Sequence, residues 1–210
     1  MKQYLQEQRL VLAAGFGAFA LGMLLGVIYF EQLHQWMHQF FEQIQRKVGP
    51  VEHGPELFVR IFVNNALASL VLILSGLLFG VYPVYGLLLN GMAIGYLLQS
   101  LAVAGQSPWK MFLLGILPHG IFEIPAILLA AAFGMRLGLL VWQSFLRLLR
   151  PAARRKPQQL TWRGLFAQLP LTINLVLGLL LLAAAIESTV SLYLVTQYVP
   201  LAPAGEDGAM

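Results

Sequence analysis

The chain has 210 residues, 59% of them hydrophobic and only 10% charged, with mean hydropathy +0.74, which excludes an ordinary soluble domain and requires much of the surface to meet lipid. Its 13 basic and 9 acidic residues leave a net charge of +4, and the lack of cysteine excludes a disulfide framework and thiolate chemistry. No glycine-rich nucleotide loop or nucleic-acid motif is present, and the basic excess traces to one stretch, 136–164.

The first apolar run, about 10–30, opens on Leu10-Val11-Leu12 and predicts a membrane-spanning helix. It is too long for the apolar part of a signal peptide, and Tyr29-Phe30-Glu31 follows it instead of a small-residue cleavage site. Ala18, Gly22 and Gly26 recur every four residues along it, a ladder that lets helix backbones approach in lipid. In 31–48, Leu33, Trp36, Met37, Phe40, Phe41, Ile44 and Val48 form one apolar stripe opposite Glu31, His34, His38, Glu42 and Gln45. This predicts an amphipathic interfacial helix within an external loop, 31–60. His34, His38 and Glu42 have a spacing that suits a surface metal, but a solvated polar face is the better explanation of them.

The second run, about 61–80, carries Asn64 and Asn65 near its start, and a tight turn over 79–83 leads to the third, about 82–104. The third holds Asn90 at mid-span and a second ladder, Gly91 and Gly95. The ladders serve either packing within the chain or a homodimer interface. The fourth run, about 109–135, is expected to continue through 136–150, where Trp142 lies among leucines before Arg147 and Arg150. A basic loop, 136–164, precedes the fifth run, about 165–196, which contains Asn174 and Glu187; a flexible tail is expected over 201–210. The pattern predicts an all-α integral membrane protein: a single polytopic domain over 1–200, with about five transmembrane helices and an external amphipathic helix.

Basic residues fix the orientation. Arg136, Arg147, Arg150, Arg154, Arg155, Lys156 and Arg163 mark 136–164 as cytoplasmic, and Lys2 and Arg9 put the N-terminus on the same side. With five spans, nine basic residues lie inside and four outside. The basic run also suits anionic lipid headgroups.

The densest chemistry lies in Leu117-Pro118-His119-Gly120-Ile121-Phe122-Glu123-Ile124-Pro125. On a helix the i, i+4 spacing puts His119 and Glu123 on one face. Each proline removes a backbone donor and frees a carbonyl one turn earlier, near Leu114 and Ile121. Ionisable groups at bilayer depth are costly unless paired, so such a segment reads as a functional site. The expected metal-binding set is His119, Glu123 and Glu187, with zinc favoured by the donor types. A metal-free His119, hydrogen-bonded to Glu123 or to a carbonyl, is the simpler reading and ranks ahead of a bound ion. Asn64, Asn65 and Asn90 are the expected buried polar companions.

Phe62-Val63-Asn64-Asn65, Asn90-Gly91-Met92-Ala93-Ile94-Gly95, Pro118 through Pro125 and Ile186-Glu187, in that order, resemble the stage II sporulation protein M family over about residues 10–195. The resemblance implies a polytopic cell-membrane protein acting as a non-enzymatic scaffold. In sporulating cells such proteins serve engulfment with two peptidoglycan-degrading partners. The His-Gly-x-x-Glu element is similar to the broader branch, found also outside spore formers, so the resemblance speaks more to fold than to engulfment. Membrane lipids, other cell-envelope proteins and a second copy of the chain are the expected partners. Two alternatives stand beside the scaffold. One is a small transporter or channel with His119 and Glu123 as an ion or proton site. The other is an intramembrane metal-dependent enzyme completed by Glu187 or an asparagine.

The orientation is testable because the chain has no cysteine of its own. In intact cells, an impermeant thiol reagent should label Gln43→Cys and leave Gln158→Cys unlabelled; the reverse pattern would invert the topology.

Overall fold

A computed structural model describes residues 2–48, 55–149 and 160–198. The described residues form helices and short connections, with no strand: α1 (Lys2–Ile28), α2 (Phe30–Val48), α3 (Pro55–Leu74), α4 (Val81–Val103), the single turn α5 (Pro108–Lys110), α6 (Leu117–Leu149), α7 (Trp162–Ile186) and α8 (Leu192–Tyr198). π-helical turns at Met111–Ile116 and Glu187–Ser191 join α5 to α6 and α7 to α8. Five helical segments are long and apolar enough to cross a membrane: Gln6–Ile28, Pro55–Leu77, Val81–Val103, Pro108–Leu149 and Trp162–Tyr198. These are the five expected runs, extended at several ends. The expected tail, 201–210, lies outside the described residues.

Local chemistry sets the boundaries. Ser107 caps α5, accepting from the Lys110 amide at 3.4 Å, and Pro108 follows at the first helical position, where its missing N–H costs nothing. Thr161 caps α7 by accepting from the Gly164 amide at 3.1 Å. Gly105, at φ 71°, stops α4 in the left-handed region that glycine tolerates. Between α3 and α4 the chain reverses through Phe79 and Gly80, at φ 56° and 73°. Phe79 bears a strained conformation for a residue with a side chain. Its ring is fixed edge-on against Trp142 and Phe145, with centroids 5.9 and 6.1 Å away.

Helix α6 is the hub. It packs against α1, α3, α4 and α7. From Leu129 to Gly138 every residue is buried, as expected of a helix apolar on all sides. Pro108–Leu149 has 42 residues. At 1.5 Å per residue that is about 63 Å, well beyond the roughly 40–45 Å of a whole bilayer. The expected extension through 136–150 is therefore present as far as Leu149, but its first residue does not belong to a loop: Arg136 is buried inside the bundle.

The two glycine ladders pack against each other within the chain. A Cβ at Gly22 or Gly26 would overlap the carbonyl oxygen of Leu88 or Met92 on α4, and one at Gly91 or Gly95 that of Phe19 or Met23 on α1. Of the two roles open to the ladders, packing inside one chain is the one they fill. Similar contacts seat α3 on α6, where Gly76 meets the Gly134 carbonyl and Gly138 leaves room for the Gly80 backbone.

α2 forms as its stripe predicts and is held to the α4 end of the bundle. Tyr96 Oη and His34 Nδ1 are hydrogen-bonded at 2.7 Å, and the Phe30 ring stacks on Tyr96 at 4.9 Å. His34 thus bonds the bundle, and the side chain of His38, the second residue of the surface-metal spacing, lies outside the described residues.

Because the ladders close on each other, Gly22→Leu and Gly91→Leu should each destabilise the monomer by about 1–3 kcal/mol or more through overpacking. Thermal unfolding in detergent should show a lowered midpoint with unchanged oligomeric mass. An unchanged midpoint would mean that α1 and α4 do not touch there.

Candidate functional site

Three of the expected residues converge. His119 and Glu123 project from one face of α6, and Glu187 opens the π-helical turn at the end of α7. One ligand atom from each lies within 4.8 Å of the others. His119 Nε2 and Glu123 Oε2 stand 3.7 Å apart, an ion-pair distance too long for a hydrogen bond. The other ring nitrogen, Nδ1, is 3.2 Å from Ser191 Oγ. With Nδ1 at the hydroxyl, Nε2 is the nitrogen turned toward Glu123. All three residues are half-buried. The site is recessed but reachable.

The local sequence explains the placement. Pro118 has no N–H to return to Leu114, and the π-helical turn just before it re-spaces the backbone there. Pro125 lies inside α6 and likewise leaves the Ile121 carbonyl without its helical donor. On α7 the Ser188 and Thr189 hydroxyls bond back to the Ala185 carbonyl at 3.3 and 2.5 Å, a competition that loosens regular helix where the wide turn begins. The π-helical turn has Glu187 at its first position and Ser191 at its last, and both reach His119. Such turns occur often at functional sites.

The three asparagines expected as buried companions are not part of the cluster. Asn90 is exposed and donates to the Gly86 carbonyl of its own helix at 2.8 Å. The buried stripe of α4 is Pro83, Leu87, Gly91 and Gly95, spaced by four residues, and Asn90 lies about 100° around the helix from Gly91. Asn64 is also exposed and donates to Asn65 Oδ1 at 3.3 Å, while Asn65 is half-buried at the edge of the face that Leu57 and Ile61 bury. Near Glu187, α3 contributes Leu57 and Ile61, which pack with Ala184 of α7.

A second polar centre, unforeseen from sequence, lies farther along the same two long helices. Arg136 Nη1 donates to Gln168 Oε1 at 2.6 Å, and Gln168 Nε2 donates to Glu7 Oε2 at 2.7 Å. Tyr4 Oη and Thr172 Oγ1 are hydrogen-bonded at 2.6 Å, and Thr172 Oγ1 donates to the Gln168 carbonyl at 3.0 Å. Gln8 is fully buried beside α1's other polar residues. Gln168 and Thr172, four residues apart in an apolar run, were the available sequence signal. Counting Arg136 among loop cations concealed its partner. Between the two centres lies close-packed apolar side-chain matter: Ala126, Ile127, Ala130 and Phe133 of α6 with Val176, Leu180 and Ala183 of α7.

The Stage II sporulation protein M family model matches residues 15–192. A protein of Methanocaldococcus jannaschii named "Uncharacterized protein MJ0793" is 34% identical over 80 residues. That match covers 38% of this chain and 44% of the archaeal protein, less than half of either. No solved structure matches the chain.

His119 and Glu123 share one site, so their contributions to stability should not add. Replacing either by Ala leaves the other without its partner in low dielectric, at a cost of about 1–3 kcal/mol. The double variant should cost less than the sum of the singles, with a coupling of about 0.5–3 kcal/mol. Strict additivity in a thermal-unfolding cycle would show the two side chains to be independent.

Proposed function

The chain belongs to the stage II sporulation protein M family, and on that premise we propose that it is a non-enzymatic scaffold of the cell membrane. In this reading it organises a cell-envelope protein complex, with the N-terminus and the basic stretch that follows α6 on the cytoplasmic side and peptidoglycan-degrading proteins as the expected class of partner. The observation that carries the reading is α2. It is anchored to α4 through Tyr96 and Phe30 and exposes Glu31, Gln32, Gln35, Gln39 and Gln43, a polar face offered to another protein. The body beneath suits a platform, because direct backbone contact along glycine ladders leaves helices little freedom to rock.

Transport is the weaker reading. An ion relay needs a polar or hydrated route, and the side chains between the His119 cluster and the Arg136 network are apolar and tightly packed. A homodimer remains part of the proposal, on different ground from the ladders. Asn90 is an exposed amide midway along α4, and such a group in hydrocarbon gains from a partner on a neighbouring helix. We assign that partner to a second copy.

Photo-crosslinking from Gln35 or Gln39 in living cells should capture an envelope protein with a peptidoglycan-cleaving domain. Proteoliposomes holding the purified protein should show no proton or cation flux. A flux abolished by His119→Ala would replace the scaffold with a transporter. Asn90→Leu should shift the detergent-solubilised protein toward monomer, and a wild-type chain that is monomeric at every concentration would remove the dimer.

A further inference from the structure

We propose that His119, Glu123 and Glu187 hold a divalent metal ion, zinc by donor type, which clamps α6 to the π-helical turn at the end of α7. The donors are mixed, one imidazole nitrogen and two carboxylate oxygens, which suits zinc rather than calcium or magnesium, whose sites are built from oxygen alone. They come from two different helices and already lie within 4.8 Å of one another. Drawing them to bonds of about 2.0–2.2 Å needs side-chain adjustment, not movement of a helix.

The orientation of His119 is an independent indication. A ligating imidazole usually gives its other nitrogen to a hydrogen-bond partner, which fixes the ring and the tautomer. Here Nδ1 meets Ser191 Oγ at 3.2 Å, while Nε2 is turned toward Glu123 and stands too far from its Oε2, at 3.7 Å, for a hydrogen bond. Charge points the same way. Two carboxylates beside one imidazole leave the cluster short of positive charge, no Lys or Arg side chain makes an ion pair there among the described residues, and a divalent cation supplies what is missing. The buried guanidinium of Arg136 is engaged by Gln168.

Three protein donors leave a fourth position for water, and the half-buried setting gives an ion a way in. The metal joins Glu187, the first residue of the π-helical turn, to the proline-bracketed turn of α6. It thereby closes the place where both helices depart from regular hydrogen bonding. This proposal is separate from the scaffold reading, since its test measures metal and not assembly.

Full-length protein purified in detergent without chelator should retain about one zinc ion per chain by elemental analysis. After metal stripping, added Zn²⁺ should raise the thermal midpoint, and Mg²⁺ at the same concentration should not. Glu187→Gln should lose the ion and the thermal shift while keeping its helical circular dichroism. Ser191→Ala, which touches no metal, should weaken zinc affinity by about 10–100-fold and still fold. A folded wild-type protein that retains no zinc and shows no shift on adding it would overturn the proposal. So would Ser191→Ala and Glu187→Gln variants that bind as tightly as wild type.

Discussion

In lipid, one apolar helix has no reason to prefer another over the surrounding acyl chains, so association depends on how closely backbones can approach. Glycine provides that approach throughout this bundle. The carbonyls of Phe19, Met23, Leu88 and Met92 lie where the Cβ atoms of the facing glycines would be, and the α3–α4 reversal is seated on α6 by the same means. The α1–α4 pair and the α3–α6 contact depend on these few residues. Helix α6, enclosed by the others, can therefore be apolar on all sides yet carry ionisable groups near each end of its buried length.

Those groups lie in two centres with different chemistry. Arg136 keeps its charge in any protein environment, and its environment answers with acceptors: the Gln168 side-chain oxygen Oε1 directly and Glu7 one step beyond. The network ties the start of α1 to α6 and α7. The His119 cluster sets two carboxylates beside one imidazole, whose Nε2 stands 3.7 Å from Glu123 Oε2, and so holds more acceptors than cations. The packed layer between them keeps the two from communicating through water.

Much of this was legible in the sequence because a spanning helix writes its signal into composition. Long apolar runs locate the spans without knowledge of their neighbours, and the Leu33–Trp36–Met37 spacing does the same for α2. His119 and Glu123 were readable as a pair because i, i+4 is a property of one helix, and Glu187 because a carboxylate is conspicuous among leucines. Which way a side chain points is another matter. Asn90 and Gly91 are adjacent in sequence, yet one is exposed and the other meets the backbone of α1, a difference fixed by the angle at which α4 meets its neighbours. Arg136 was misplaced for a related reason: charge counting assumes that a cation after an apolar run has left the bundle, and here the helix and its packing continue. The π-helical turns left only faint traces, Pro118 in one case and Ser188-Thr189 in the other.

The inner clasp also bears on the order in which the protein is made. Glu7 meets Gln168 across 161 residues of chain, and Tyr4 meets Thr172 across 168. In chain order α1, α3, α4 and α6 all precede Gln168, the residue whose side chain accepts from Arg136. Until α7 arrives, the guanidinium has no acceptor from that helix, and the start of α1 is not yet fastened to the rest. The last span thus acts as the bolt of the assembly: a chain truncated ahead of Gln168 would lack both the acceptor that Arg136 bonds and the donor that Glu7 receives.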